Sequence, residues 1–244
     1  MPKFVWAHAM LSSVRHEDAL GLFDWRPAAK TSTIVRYDAR GHGTAVVQYE
    51  DRAYRWSALV DDMLREAGDG PFVAAGAGMG AATALLAAVR APRRVAALIL
   101  AIPPAAWENR SEQVARYRAL AENVERRRPG SLLAASSVIG QPQFVTRAVP
   151  GTPAAAARQV LTMDRRAVPA ILRGAALSDL ASRDEIRSVI VPTLILAWED
   201  DPGHPIATAE TLATLMLQSE LHVAGDIDAV RSWPKLVCDF LATV

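Results

Sequence analysis

Pro71–Val89 reads PFVAAGAGMGAATALLAAV: a short apolar run, a knot of glycines, then small and apolar helix formers. This pattern describes a strand that enters a helix through a tight turn. Within it, Gly76-Ala77-Gly78-Met79-Gly80 has the spacing of G-x-S-x-G, in which flanking glycines let strand and helix approach while the central residue holds out a nucleophile. The central residue here is Gly78, so no hydroxyl, thiol or carboxylate is presented, and attack by a side chain at this position is excluded. The same glycines could serve a dinucleotide. That fingerprint needs a third glycine where Ala81 stands and an acidic residue about 20 positions on, and residues 95–107 contain no Asp or Glu. No cofactor is expected. Asp201, Asp226 and His204 are of types that suit a divalent cation, but no close-spaced ligand motif supports a metal site, and none is expected.

The elements that must position such a turn alternate along the chain. Phe4–Ala7, Thr33–Tyr37, Phe72–Ala75, Val95–Ala101, Thr193–Ala197 and Glu220–Val223 read as strands. The segments at about Arg55–Glu66, Gly80–Val89, Ala207–Leu217 and Val230–Ala242 read as helices, with apolar residues returning every three or four positions. The expected fold class is therefore α/β: a mostly parallel sheet of about six strands with helices on both faces. Between Pro103 and about Asp184 the alternation stops. Helical patterns at Ser111–Arg127, Pro153–Asp164 and Val168–Leu180 follow one another without a strand. This gives a core of residues 1–102 and 185–244, with 103–184 inserted as a helical cap over the strand ends where ligands bind in open α/β sheets.

Composition narrows the function classes. With 244 residues, 51% hydrophobic and 22% charged, the chain can bury a full core. Its 27 basic residues, all arginine but Lys3, Lys30 and Lys235, are scattered and balanced by 26 acidic ones, so no nucleic-acid face is expected. The run Arg126-Arg127-Arg128 reads as a solvated helix end. Cys238 is the only cysteine, which precludes an internal disulfide. Phe4-Val5-Trp6-Ala7 is too short for a signal sequence, and no apolar run approaches the roughly 20 residues that span a bilayer. A cytoplasmic protein without a membrane partner is expected.

Several motifs arrive together in a known order. Val35-Arg36-Tyr37-Asp38-Ala39-Arg40-Gly41-His42-Gly43 resembles the strand-end D-x-R-G-H-G turn of the α/β-hydrolase superfamily, and the glycine turn follows it at the expected distance. Arg90-Ala91-Pro92-Arg93-Arg94-Val95 is similar to that family's P-x-R-V. Val191–Ala197 followed by Asp200-Asp201-Pro202 resembles the strand that delivers the acid of a catalytic triad. The resemblance covers nearly the whole chain and is nearest to small lid-bearing enol-lactonases, haloperoxidase-like esterases and related carbon–carbon hydrolases. Such proteins usually begin with two further strands. Without them Thr33–Tyr37 becomes an exposed sheet edge, and a homodimer through it is an expectation.

By this resemblance Gly78 stands at the nucleophile position and Asp201 matches the triad acid. The N–H groups of Met10 and Met79 would form the oxyanion hole. The family's His-Gly at that loop is His8-Ala9 here, so Ala9 must accept a backbone geometry normally given to glycine, and His8 reads as a packed turn residue. The triad histidine would follow the last strand, where this chain has Gly225-Asp226. His222 lies inside that strand. His204, three residues beyond Asp201, could supply a general base from the acid's own loop or serve only to shape it. Trp107, Trp198, Met10 and Met79 fall in or near loops at the same edge; if they converge they make an apolar pocket roomy enough for an aromatic or hydrocarbon ligand, and if not they are ordinary core, the reading taken for Trp56. The implied function is that of a hydrolase-like enzyme acting on a small apolar ester, lactone or related carbonyl compound. Two alternatives are a non-catalytic ligand-binding pseudoenzyme and a non-covalent lyase or isomerase using His204 or Asp201.

Overall fold

A computed structural model describes residues 3–244. Six strands form one parallel sheet: β1 (Lys3–Ala7), β2 (Thr33–Tyr37), β3 (Phe72–Ala77), β4 (Val95–Ala101), β5 (Thr193–Trp198) and β6 (Ser219–Ala224), in the order β2-β1-β3-β4-β5-β6. A central parallel strand is covered on both faces, so its sequence is a near-continuous apolar run rather than an alternation. FVAAGA, VAALILA and TLILAW fit that description and are buried almost throughout. The alternating side chains build two separate cores. Val5, Ala74, Leu98, Leu100 and Ile195 point into one; Phe4, Trp6, Val73, Ala75, Ile99, Leu194 and Leu196 point into the other.

Eleven α-helices are present among the described residues. They are α1 (Val14–Leu20), α2 (Trp56–Ala67), α3 (Met79–Arg90), α4 (Arg110–Glu125), α5 (Ser131–Ala135), α6 (Gln143–Ala148), α7 (Thr152–Thr162), α8 (Ala167–Ala176), α9 (Arg183–Arg187), α10 (Ile206–Leu215) and α11 (Ile227–Leu241). All six expected strands are found, each extended by at most two residues. The last helix starts three residues earlier than its periodicity suggests, because the Asp226 carboxylate accepts from the Ala229 N–H at 2.8 Å and caps it. Helix α1 is one of the elements the periodicity misses, with the short α5, α6 and α9. It is seven residues long, capped by the Ser13 hydroxyl at its start and by Gly21 at φ 66° at its end. Between β4 and β5 the chain is helical, with no strand among the described residues. No described helix is long and apolar enough to cross a membrane.

The strand order locates the site. The chain leaves β1 toward β2 on one side and later returns to β3 on the other, so the connections after β1 and β3 diverge from neighbouring strand ends. Such a switch point opens a crevice at the carboxyl edge of a parallel sheet. The pairing of Ala7 with Gly76 brings the segment after β1, residues 8–13, beside the turn at Gly78. Thr33–Tyr37 is a sheet edge as expected, and Arg36 in its middle is ion-paired to Glu17 and Asp18 of α1.

Candidate active site

The β3–α3 turn is built for close approach. A Cβ on Gly76 would lie 2.4 Å from the Gly80 carbonyl carbon, and one on Gly80 would lie 2.0 Å from the Ala7 carbonyl oxygen. Neither position admits a side chain. Gly78 itself has φ 54° and ψ −112°, a conformation open to glycine and strained for a residue with a side chain, as at a strand-to-helix turn that holds a residue out. A Cβ built there would point at His204, with Nε2 2.9 Å away, and at the Ala9 methyl, 3.6 Å away.

His204 reaches this spot because its loop folds back on itself. The Asp201 carboxylate accepts from the Gly203 N–H at 2.9 Å and from the Trp198 indole at 2.9 Å, and it is bonded to His204 Nδ1 at 2.8 Å. The i, i+3 spacing thus makes an acid–imidazole pair within one turn. Burial alone would raise the Asp201 carboxyl, but the His204 charge and these three hydrogen bonds outweigh it and hold the group down at about 2. Asp200, the neighbour of the same type, is exposed, with φ 61°. The loop is fixed from the helical segment after β4: Gln113 Nε2 donates to the Pro202 carbonyl at 3.1 Å, and the Ala105 N–H donates to the Gly203 carbonyl at 2.9 Å. Beneath it Trp198 stacks on Trp233 of α11, centroids 5.9 Å apart.

On the other side of Gly78, two neutral histidines brace residues 8–11. His8 is fully buried; its Nδ1 bonds the Ala9 carbonyl at 2.7 Å and its Nε2 accepts from the Ala39 N–H at 3.0 Å. His42 accepts from the Leu11 N–H at 3.0 Å through Nε2, and its Nδ1 bonds the Arg40 carbonyl at 2.9 Å. Burial lowers both, His42 to about 3. Among the described residues, the N–H groups of Met10 and Met79 have no acceptor. The left-handed residue of this loop is Leu11, φ 58°, and not Ala9, so the strain expected at Ala9 falls two residues later. Ile102, at the end of β4, is a β-branched residue at φ 43° and marks a second strained position at the same edge.

Ala9, Met10, Met79, Trp198 and His204 all line one cavity, which α1 and the segment between β4 and β5 close over through Glu17, Tyr117, Ile139 and others. Two expectations are corrected. Trp107 is outside the lining: its indole donates to the Ala181 carbonyl at 3.1 Å and Arg183 lies over its ring at 4.8 Å, so it ties the inserted helices together. The cavity is also tighter than the aromatic inventory suggested, about 40 Å³, room for little more than a water molecule. Large side chains that converge fill a pocket as readily as they line one. Trp56, read as core, is both buried and part of the wall.

The remaining candidates lie elsewhere. Asp226 caps α11, and His222 on β6 pairs with Glu220 at 2.6 Å, so neither joins Asp201 and His204. The sequence model of the Alpha/beta hydrolase family matches residues 5–230.

The chain belongs to the alpha/beta hydrolase family.

Solved structures of similar fold include a thermophilic esterase from Thermogutta terrifontis, with a TM-score of 0.80 at 21% identity over 100% of this chain and 90% of that one. The enol-lactonase from Burkholderia xenovorans LB400 gives a TM-score of 0.80 at 20% identity, over 99% of this chain and 91% of that one. No curated protein sequence matches the chain significantly. At these identities the likeness concerns the fold.

As a hydrolase-family chain it carries two wall residues that its motifs do not announce, His16 and Glu17 on α1. Both are buried. Burial pushes Glu17 up to about 7, against the Trp6 and Arg36 hydrogen bonds that favour its charge, and pushes His16 down to about 4. The available signal was Ser13 and Gly21 bracketing seven residues with adjacent His and Glu.

Proposed function

We propose that this protein is a hydrolase-type enzyme in which His204, paired with Asp201, acts as general base on water, replacing the side-chain nucleophile that Gly78 does not supply. Its substrate is a small ester, lactone or related carbonyl compound. The observation that carries the reading is the imidazole over the glycine: Nε2 lies 2.9 Å from where a Gly78 Cβ would stand, while Nδ1 is bound to the Asp201 carboxylate.

In this mechanism water gives a proton to His204 Nε2 as its oxygen bonds to the substrate carbonyl carbon. The carbonyl π electrons move to oxygen, and the resulting oxyanion accepts hydrogen bonds from the Met10 and Met79 N–H groups, which need no particular side chains. Asp201 fixes the imidazole orientation and stabilises the imidazolium. Collapse breaks the carbon–oxygen bond to the leaving group, which takes the proton back from Nε2. Residues 103–184 act as a cap, and its wall residues must shift to admit an ester into a cavity of about 40 Å³.

The test is a panel of short esters and small lactones, combined with a fluorophosphonate that labels activated serines. The native protein should turn over members of the panel without being labelled. Gly78→Ser should become labelled if His204 gives way by a few tenths of an ångström, since a side-chain tip is the crowding neighbour. Absence of turnover across the panel together with no labelling of the variant would reject the reading. A second reading is favoured by how closely Nε2 approaches the turn: His204 could remove a proton from a substrate carbon in a non-covalent lyase or isomerase. Exchange of substrate C–H with deuterated water, without hydrolysis, would select it.

A further inference from the structure

Three residues that line the cavity each carry a buried side-chain atom without a hydrogen-bond partner: Glu17 Oε1, His16 Nε2 and Trp56 Nε1. These are three of the eight such atoms among the described residues. The relative exposures of the residues are 3%, 5% and 1%. In each case the rest of the group is already engaged. Glu17 Oε2 accepts from Trp6 Nε1 at 2.8 Å and from Arg36 at 3.3 Å, and His16 Nδ1 meets the Ser12 hydroxyl at 2.9 Å. The Trp56 ring is covered by the Arg110 guanidinium, 4.2 Å from its centroid. None of the three atoms bonds Asp201 or His204, so the base chemistry does not account for them.

Buried polar atoms are almost always paired, and leaving one unpaired is costly. Much of the remaining wall is apolar, including Leu20, Leu22, Phe23 and Ile139, and its other polar side chains, Ser12, Tyr117, Gln141 and His204, do not hydrogen-bond these atoms. We propose that Glu17, His16 and Trp56 form a recognition edge that selects a substrate bearing a second oxygen, a hydroxyl or keto group, beside the carbonyl on which His204 acts. The proposal rests on the cavity being the substrate site. The Trp56 indole can only donate, so it faces an oxygen acceptor on the ligand. Glu17, held partly in its acid form by burial, can donate and accept, which suits a hydroxyl. A site built to hydrogen-bond a substrate oxygen rejects the analogue lacking it much more strongly than an apolar wall rejects a missing methylene.

The experiment compares γ-butyrolactone with α-hydroxy-γ-butyrolactone, by kcat/KM in the native protein and by calorimetric Kd in His204→Ala, where turnover is removed. The hydroxylated lactone should be favoured at least tenfold in both. Glu17→Leu and Trp56→Phe should each bring the ratio to within threefold of unity, while Glu17→Gln, whose amide also donates and accepts, should keep it. Trp56→Phe keeps the proposal falsifiable if Glu17→Leu does not fold. Equal affinity for the two lactones, binding of neither, or a preference unchanged in both Glu17→Leu and Trp56→Phe would overturn it. A binding preference that depends on Glu17 in a protein without turnover would uphold the recognition edge while rejecting the base mechanism.

Discussion

Glu17 shows how one buried carboxyl couples the site to stability. Its folded value of about 7 lies above its ordinary value of 4.5, so the unfolded chain releases that proton first as pH rises. The contribution of the acid form is therefore complete below about pH 4.5 and is lost as pH rises through about 7, to the extent of roughly 3 kcal/mol. The groups facing it are Arg36 from β2, Trp6 from β1 and the backbone at Ala9. Glu17→Gln removes the titration. Urea unfolding at pH 5 and pH 8 should show the variant gaining on the native protein by about 2 kcal/mol between the two. A difference that is the same at both pH values would contradict the assignment. Asp201 runs the other way: held at about 2, it contributes stability above about pH 3.8 that is lost only as pH falls through about 2.

At the scale of elements, the segment between β4 and β5 fixes the loop of Asp201 and His204 through Gln113 and Ala105. Arg110 of α4 is 5% exposed and spends its guanidinium on three carbonyls, Ser178, Ala105 and Ala175, while stacking on Trp56 of α2. Arg110→Met keeps the stem but leaves those carbonyls unpaired, at a cost of about 3 kcal/mol. Thermal unfolding would read this as a lower Tm, and an unchanged Tm would remove Arg110 from the account. Much of this level was legible in the sequence. Strands covered on both faces need continuous apolar runs, and β3, β4 and β5 have them; the glycines at 76, 78 and 80 announce the turn. Helix α1 was not legible, because seven residues give too little periodicity and its two caps were the only marks. Nor was the meeting of His204 with Gly78, which depends on a loop folding 126 positions away in the chain.

For the whole molecule, the decisive quantity is the size of the cavity. Its lining residues were readable in part, from Met10, Met79 and Trp198, but its volume depends on how residues 138–141 close one side of it, which no local pattern encodes. A space of about 40 Å³ is small for an ester, and residues 138–141 form one of its walls. Backbone amides in residues 136–141 should therefore exchange with deuterated water in the free protein and slow at least severalfold with a bound hydroxylated lactone, while amides of β3 and β4 stay protected in both states. Unchanged exchange in 136–141 at saturating ligand would place the ligand elsewhere.

The most direct test of the central claim is kcat/KM for His204→Ala beside the native protein, on whichever small ester or lactone the native protein turns over fastest, with Tm confirming that the variant is folded. The account predicts a loss of about 10²–10⁴-fold, the contribution of a positioned general base. A folded variant that keeps its activity within threefold would contradict it, and would mean that the imidazole over Gly78 only fills the turn.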